Sequence, residues 1–468
     1  MIGQRHARSP RTATAALVVL AATSALTAAR PAAPHPSLEG TWRTDGYGRI
    51  VTVHDGRLRT YDISAAGCLP GLLSGTRTGP VGPDGAVEFT VDGQPELTLR
   101  PRGRDRAVWN AAADVTDIRM RRLAALPAVC ATPVRDDPRA VFDVFWATFQ
   151  ENYPFFAAKG VDWEQVRDRY RPRVTARTTD AQLLAILSDM VRPLADAHVG
   201  IRAGATGSFW QPRPGTLPVT DDTFVTRAWQ ATGANLGAGL RTWAQGKIGY
   251  ADLPGGVGYL RITSFQGYTD QDAYAADAAE LDRALDAVLT PGAAPHGLVL
   301  DLRLNGGGSD RLALRLAARL TARPFTAYAK QARTDTPGPV RFTPPQPVTV
   351  TPAGTHPYTG PVTVLTSSGS MSAAETLTQA LMNRTPRPLR IGAPTQGIFS
   401  DTLDRSLPNG WMFGLPNERY LDDDGRSYDG AGIPPDLTVP VFTDDELAHG
   451  RDSALAAARA VLADPDPL

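Results

Sequence analysis

Short apolar runs separated by glycine-containing turns fill the chain from residue 37 to residue 131. Two of these runs, residues 49–53 and 86–91, are each followed closely by an Asp-Gly pair. β-Strands joined by tight turns have this pattern. The pattern therefore predicts a small all-β domain over residues 37–131.

The spacing of the apolar residues changes after residue 135. Within residues 141–149 and 183–194 they recur every three or four positions, as on one face of a helix. This spacing predicts a helical subdomain over residues 135–204. Residues 205–256, which are rich in Gly, Pro and Thr, are predicted to form an irregular, β-rich connection.

Strand-like and helix-like segments alternate in the second half of the chain. The predicted strands are residues 258–262, 297–302, 361–366 and 389–391, and the predicted helices are residues 270–289, 310–321 and 373–383. Such alternation is typical of a layered α/β core, here over residues 257–442, and a helical tail follows over residues 443–468. The predicted fold class is multidomain, α+β or α/β.

The amino terminus has the composition of an export signal. Arg5, Arg8 and Arg11 precede an apolar, alanine-rich run over residues 13–29. A basic start, an apolar run and small residues at its end are typical of a signal peptide, here residues 1–30. We therefore expect a secreted protein with no stable membrane insertion after cleavage. A disordered tail and an uncleaved anchor are the alternatives.

The composition of the chain argues against some classes of binding partner. Lys and Arg number 48, and Asp and Glu number 48, so no net charge attracts nucleic acid or an anionic membrane. We find no zinc-type Cys/His spacing and no phosphate-binding loop of the Walker type, and we expect neither a metal nor a cofactor. The oligomeric state stays open.

The chain has two cysteines, Cys68 and Cys130, both in its first third. In an oxidising compartment such a pair most simply forms one disulfide. Two buried free thiols are the alternative.

Ser372 lies where a predicted strand gives way to a helix, in the segment SSGSMSAAE of residues 367–375. A serine at this point has free backbone N–H groups and the positive end of a helix dipole beside it. These can hold the oxyanion of a tetrahedral intermediate. The alternative is a capping box between Ser372 and Glu375 with no catalytic role.

A glycine-rich turn, in the segment DLRLNGGG of residues 301–308, follows another predicted strand. Glycines let backbone N–H groups approach a ligand closely, so this turn is a candidate for half of an oxyanion hole. The alternative is an ordinary turn before a helix, with Asp301 and Arg303 in a structural ion pair.

His198 is the candidate base. Among the seven histidines, it alone is predicted at the end of an element with a carboxylate, Asp196, and a glycine, Gly200, beside it. Histidine is the usual base for a serine hydroxyl because its pKa is near neutral. A lone histidine is nevertheless more often structural.

In chain order, the motifs Asp-x-His, Asp-x-Arg-x-Asn-x-Gly-Gly and Ser-x-x-Glu resemble those of the S41 serine peptidases, over residues 137–440. The resemblance implies Ser372 as the nucleophile. It implies the N–H groups of Gly307 and Ala373 as oxyanion donors, with Gly308 as the next candidate. It also implies a crotonase-like catalytic core of ββα type, which leaves the first β domain outside.

Two catalytic styles exist in this family. C-terminal processing members use a lysine base, but the corresponding position here is Ile398, which cannot accept a proton, and no PDZ domain is recognisable in residues 205–256. Tricorn-like members use a histidine, which implies His198. Asp429 takes the place of a glutamate that completes the tricorn network, and Asp196 is its rival for orienting His198.

The resemblance therefore predicts a secreted serine peptidase that cleaves peptide or protein substrates through an acyl-enzyme on Ser372. The family also includes interphotoreceptor retinoid-binding repeats, so a non-catalytic module for apolar ligands or peptides is the main alternative. An esterase that uses the same residues is the third interpretation.

Overall fold

The computed structural model describes residues 36–91, 94–237, 239–271, 273–290, 292, 294–334 and 340–463. The predicted signal peptide, residues 1–30, lies outside the described residues. From residue 36 onward the chain forms one compact unit. It has the predicted mixed α+β architecture, with an amino-terminal β-barrel, a group of helices and a layered α/β core. Within the described residues, no helix combines the length and the apolar character that crossing a bilayer requires.

A closed barrel of eight antiparallel strands forms the amino-terminal part, which confirms its predicted all-β character. Large apolar side chains, among them Trp42, Phe89 and Trp109, fill the barrel interior. The strands are β1 (Gly40–Thr44), β2 (Arg49–His54), β3 (Arg57–Ser64), β4 (Gly67–Thr78), β5 (Val87–Val91), β6 (Gln94–Pro101), β7 (Arg106–Ala111) and β8 (Ile118–Leu123).

A disulfide joins Cys68, in β4, to Cys130, which follows β8, as predicted. The two cysteines are 62 residues apart, so the bond closes a loop around most of the barrel. On the chain-entropy model, a loop of this length stabilises the folded state by about 4 kcal/mol.

Three helices follow the barrel and share an aromatic core that includes Phe142, Phe145 and Phe149. Asp137 caps the start of the first helix, because its carboxylate accepts hydrogen bonds from two N–H groups of the first turn. The helices are α1 (Pro138–Asn152), α2 (Trp163–Tyr170) and α3 (Asp180–Val191).

The connection over residues 205–256 differs from the prediction of strands and loops, because it contains a helix of 15 residues. This helix buries Ala228, Ala231 and Leu236, so a face of small residues hides its period in the sequence. The elements of this part, with the strand just before it, are β9 (Gly200–Arg202), β10 (Ser208–Trp210), α4 (Asp222–Leu236), β11 (Arg241–Trp243) and β12 (Ile248–Leu253).

The α/β core follows the predicted alternation closely. Its elements are β13 (Val257–Ile262), α5 (Tyr274–Leu289), β14 (Gly297–Asp301), α6 (Asp310–Arg319), β15 (Phe325–Ala332), β16 (Gln346–Val350), β17 (Val362–Thr366), α7 (Ala373–Leu381), β18 (Leu389–Gly392), β19 (Thr402–Ser406), β20 (Met412–Pro416), β21 (Glu418–Leu421) and β22 (Leu437–Thr438). After the core come α8 (Asp444–His449) and α9 (Ser453–Ala463).

The main sheet has seven strands in the order β11-β12-β13-β14-β17-β18-β22, and β13, β14, β17, β18 and β22 run parallel to one another. Parallel neighbours end at the same edge, so the turns after β14, β17 and β18 are brought together. All five residues of β14 and all five of β17 are buried, as expected for strands covered on both faces.

A second sheet, in the order β10-β9-β20-β19, connects the helical group to the core. In it Gly200 pairs with Gly414 and Ile201 with Phe413, across about half of the chain. A third sheet has the order β16-β15-β21.

Candidate active site

Three turns at the carboxyl edge of the main sheet form the candidate site. Residues 302–308 follow β14, residues 367–372 follow β17 and residues 393–398 follow β18. Backbone hydrogen bonds join them, because Met371 N–H donates to Asn305 O at 2.9 Å and Ser372 N–H donates to Ile398 O at 3.1 Å. Open α/β sheets bind their ligands at this edge.

Ser372 lies in a strained turn. Its backbone has φ 53° and ψ −118°, a combination that residues with a Cβ atom rarely adopt. The strain arises because the chain must reverse between the end of β17 and the start of α7. Ser372 remains half-buried while its neighbours Met371 and Ala373 are buried, so the turn presents the serine side chain at the surface of the site.

Gly307 lies directly against Ser372. A Cβ atom at Gly307, whose φ is 91°, would lie 2.6 Å from Ser372 Cβ, so only glycine fits. Its N–H donates to Asn305 Oδ1 at 2.8 Å and is therefore occupied. This differs from the predicted use of that N–H as an oxyanion donor. What Gly307 contributes is the space beside the serine.

The N–H groups of Gly308 and Ala373 have no acceptor at hydrogen-bonding distance among the described residues. Ala373 is the first residue of α7, where a helix leaves its N–H groups without internal partners. Gly308 has φ 126° and lies against Phe265, where a Cβ atom would come within 2.5 Å of the Phe265 backbone. One free donor therefore comes from the glycine turn after β14, and the other comes from the start of α7, directly after Ser372.

Glu375 connects the serine turn to the turn after β18. Its side chain is fully buried, and Oε2 accepts hydrogen bonds from Ser372 N–H at 3.1 Å and from Ile398 N–H at 2.8 Å. Oε1 accepts from Thr395 Oγ1 and from Gly397 N–H, both at 2.6 Å. Burial raises the pKa of Glu375 to about 8, against the effect of these donors. Burial thus favours the neutral acid, whereas four donors around two oxygens favour the carboxylate, and the geometry of the contacts is that of a carboxylate.

His198 lies in the turn before β9. Its imidazole lines a cavity of about 320 Å³ together with Phe209 and Trp210. Nδ1 is buried and has no hydrogen-bond partner among the described residues. Burial lowers the pKa of His198, and the charges of Asp196 and Asp401 oppose this effect. The imidazole is therefore neutral to lower pH than an exposed histidine.

Among the described residues, no hydrogen bond joins His198 to Ser372. The two turns meet through the residues that precede them, because Ala197 and Met371 pack with Ile398 in one apolar cluster. Ile398, in the position of the lysine of C-terminal processing peptidases, thus lies beside the serine turn and is buried.

The two candidate orienting carboxylates contact other groups. Asp196 accepts from the backbone N–H of His198 at 3.0 Å and from the hydroxyl of Tyr153 at 2.9 Å, so it fixes the turn rather than the imidazole. Asp429 accepts from Phe399 N–H at 3.2 Å and from Ser427 Oγ at 2.5 Å. Burial raises the pKa of Asp429 to about 7, although its two donors oppose the rise. No hydrogen bond from either carboxylate reaches the imidazole within the described part of the chain.

Sequence reasoning missed two residues that support the histidine turn. Tyr153 holds Asp196, and Trp210 Nε1 donates to Ala197 O at 2.8 Å. A tryptophan in a polar stretch rich in Gly and Pro was the only hint of the second contact. Glu375 appeared in the sequence only as a capping residue, since its contacts with residues 395–398 depend on the tertiary fold.

Metal ligands are not grouped at this site. In the ranges that the structure describes, no three His, Cys, Asp or Glu side chains are arranged to hold a metal ion.

Comparison with known protein families gives two matches, one in the α/β core and one in the helical group. Residues 256–439 match peptidase family S41. Residues 134–192 match the C1 domain of tricorn protease, which covers most of the helical group. No curated protein sequence matches the chain.

Solved structures show the same fold. A candidate peptidase from Parabacteroides merdae ATCC 43184 superposes with a TM-score of 0.59 and 26% identity, over 71% of this chain and 98% of that chain. Mature CPAF in complex with lactacystin superposes with a TM-score of 0.50 and 13% identity, over 70% of this chain and 98% of that one. The family match and the first of these neighbours support a hydrolase that acts on peptide bonds, and the second supports the fold alone.

The strain at Ser372 gives a first prediction. Glycine adopts φ 53° without a steric cost, whereas alanine retains the Cβ atom. We expect Ser372→Gly to have a free energy of unfolding about 1 kcal/mol higher than that of Ser372→Ala, as measured by urea denaturation. Inside a helix with ordinary backbone angles, as at Ser188 in α3, the same pair of substitutions should instead favour alanine, by about 1 kcal/mol. Equal stabilities at position 372 would contradict a strained turn.

Glu375 gives a second prediction. In Glu375→Gln the amide nitrogen faces N–H donors, so two of the four hydrogen bonds are lost without a change of volume. We expect a loss of about 2–4 kcal/mol in the free energy of unfolding, because a buried donor without a partner costs about 1–3 kcal/mol. The matched control is Glu164→Gln on the exposed face of α2, which should change stability by less than about 0.5 kcal/mol. A similar small change at position 375 would argue against the carboxylate as the link between the two turns.

Proposed function

We propose that the protein is a secreted serine peptidase in which Ser372 attacks the scissile carbonyl and His198 acts as general base. The observation that carries the proposal is the setting of Ser372. Its turn is strained, and Gly307 leaves space beside the hydroxyl. Among the described residues, the N–H groups of Gly308, in the neighbouring turn, and of Ala373, at the start of α7, have no acceptor. Helix N-termini and paired N–H groups stabilise the oxyanion of acyl transfer.

The base must come from outside the core, since the described part of the core has no histidine near Ser372. His198 fits this role in three respects. Its turn packs against that of Ser372, its Nδ1 has no hydrogen-bond partner in the described part of the chain, and burial lowers its pKa, which favours the neutral form. We propose that the imidazole turns from the neighbouring cavity toward Ser372 when substrate fills the cleft. Catalytic hydrogen bonds are often absent in unliganded proteins and form in the substrate complex.

The reaction has two acyl-transfer steps. Ser372 Oγ bonds to the carbonyl carbon while its proton passes to His198, and the oxyanion is held by the N–H groups of Gly308 and Ala373. The C–N bond then breaks and the leaving amine takes the proton from His198. Water attacks the resulting ester with His198 again as base, which releases the acid and restores the Ser372 hydroxyl.

Asp429 acts in this proposal as a positioning residue. Its contact with Phe399 N–H holds the segment that carries Ile398 against the serine turn. Asp196 positions the other partner, because it holds the backbone of His198. The signal peptide of residues 1–30 belongs to the proposal on sequence grounds, and the Cys68–Cys130 disulfide is compatible with export.

A peptide-library cleavage assay tests the proposal. We expect the wild-type protein to cleave a subset of peptides and to react with a fluorophosphonate probe at one serine. Ser372→Ala should lower kcat at least about 10⁴-fold and abolish labelling. His198→Ala should lower kcat to a similar degree, whereas His54→Ala, at an exposed histidine of the barrel, should not. Undiminished labelling of Ser372→Ala, or hydrolysis of small esters without any peptide cleavage, would overturn the assignment.

The lowered pKa of His198 predicts the pH dependence. The base acts only when neutral, so kcat/KM should fall as the pH drops through the pKa of His198, which lies below the ordinary value of about 6.5. If Asp429 is a positioning residue, Asp429→Asn should lower kcat without shifting this acid limb. The opposite result would be a fall of wild-type kcat/KM near pH 7 that shifts to lower pH in Asp429→Asn. It would show that the ionisation of Asp429, whose pKa is about 7, controls the reaction.

A further inference from the structure

A second cavity, of about 410 Å³, lies between the barrel and the α/β core. The barrel wall of this cavity is mostly apolar, although the barrel also contributes Tyr47, Arg49, Asp114 and Thr116. Its larger apolar side chains are Leu72, Leu73, Val91, Leu97, Trp109 and Ile118. The opposite wall, from the core, is polar and includes Lys330, Asp401, Asn417 and Glu418. An apolar wall with a few convergent polar groups is the usual construction of a ligand site.

The polar side of the cavity has an excess of negative charge. Four acidic residues line it (Asp114, Asp401, Asp404 and Glu418), against the two cations Lys330 and Arg49. Arg49 pairs with Asp62 at 3.2 Å, outside the lining, so it does not neutralise the cavity. Lys330 pairs with both Asp401 and Glu418. Arg202 lies 3.5 Å from Asp404. Of the four acidic residues, Asp114 is therefore the one for which the described residues provide no ion pair.

The surroundings of Asp114 disfavour its charge. Burial and then the charge of Asp401 raise the pKa of Asp114 to about 6, although Lys330 and Arg311 oppose the rise. A cation placed in the cavity would relieve this repulsion.

Asn417 adds a second, independent feature. It is only 1% exposed, lines the cavity, and its Nδ2 has no hydrogen-bond partner among the described residues. A buried donor without a partner is costly, so a ligand that brings an acceptor gains affinity there. A peptide carbonyl oxygen is such an acceptor.

The cavity adjoins the candidate active site. Ala113, next to Asp114, accepts through its carbonyl from Ser309 Oγ at 3.4 Å, and Ser309 follows Gly308. Asp401 is three residues from Ile398, whose carbonyl accepts from Ser372 N–H, and three residues span at most about 11 Å.

The cavity also shares a wall with the cavity of His198. Thr402 and Asp404 line both spaces. The two cavities are therefore neighbours, and the proposal below places successive parts of one substrate peptide in them.

We propose that this cavity is a specificity subsite for a lysine or arginine side chain of the peptide substrate. The aliphatic stem lies against the barrel wall near Trp109 and Leu97, the charged end approaches Asp114, and a substrate carbonyl accepts from Asn417 Nδ2. Long basic side chains bury their stems in this manner while their charge stays with polar groups. The inference rests on the proposed peptidase function and assigns the amino-terminal barrel a direct part in substrate selection.

Matched peptides test the subsite. A peptide that the wild-type protein cleaves is prepared with lysine or norleucine at each position in turn, and kcat/KM is measured for both. We expect lysine to be preferred about tenfold at one position, since a hydrogen-bonded charge contributes about 1.5–3 kcal/mol. Asp114→Asn should reduce this preference to about twofold or less.

Two further variants control for local damage. Asp117→Asn removes a charge three residues along the same barrel loop, outside the cavity lining, and should retain the wild-type preference. Leu72→Lys places a positive charge on the apolar wall, where the side chain is 43% exposed and the fold tolerates it, and should reduce the lysine preference as Asp114→Asn does. Equal kcat/KM values for the lysine and norleucine peptides with the wild-type protein would overturn the subsite. A preference for lysine that both Asp114→Asn and Leu72→Lys leave unchanged would also overturn it.

Failure of the subsite and failure of the peptidase proposal give different results. Binding of fluorescein-labelled lysine and norleucine peptides to full-length Ser372→Ala is measured by anisotropy, without any need for cleavage. Tighter binding of the lysine peptide that is lost in Ser372→Ala/Asp114→Asn supports the subsite even if the wild-type protein cleaves no peptide. Equal binding of the two peptides overturns it even if cleavage is observed.

Discussion

The carboxylate of Glu375 is the interaction on which the geometry of the site depends. Its Oε2 holds the turn after β17 and the turn after β18 at the same time, through the N–H groups of Ser372 and Ile398, and Oε1 holds the second of these turns through Thr395 and Gly397. A strained residue persists only when surrounding contacts over-determine it, and these hydrogen bonds act directly on the strained serine. A buried charge is stable only with such a set of donors, so the same four bonds account for both the burial of Glu375 and the position of Ser372.

A second buried network fixes the third turn. Arg303 is fully buried and pairs with Asp301 and with Asp452, at 2.7 Å in each case, while Tyr259 donates to Asp301 at 2.7 Å. Asp452 lies just before α9, so its ion pair with Arg303 joins the tail to the turn after β14. Buried ion pairs add little net stability because desolvation opposes them. Their contribution here is the relative placement of the tail and the turn.

The layered core was predictable because its signals are local. Buried strands such as β14 and β17 are short continuous apolar runs, and the helices between them keep a regular period. Helix α4 was missed because its buried face consists largely of alanine. The ion pair of Asp301 and Arg303, two residues apart, was within reach of sequence reasoning, but the partner Asp452 was not, since a contact across 149 residues depends on the completed fold.

The site was predictable to a similar extent. The serine and glycine turns follow adjacent parallel strands, so their proximity follows from the topology alone. The occupied N–H of Gly307 could not be foreseen, because it depends on the side-chain rotamer of Asn305. The contacts of Asp429 with Phe399 and Ser427 likewise arise from loop geometry, for which the motif gives no information.

The pairing of β9 with β20 has a consequence for the order of events during biosynthesis. The strand that follows His198 finds its partner in residues 412–414, so most of the chain must be synthesised before that pairing can form. Contacts between such distant segments form late, because closing a long loop has an entropic cost that early contacts do not repay. The turn that carries His198 and the turn that carries Ser372 are therefore expected to assemble only when nearly the whole chain has been synthesised.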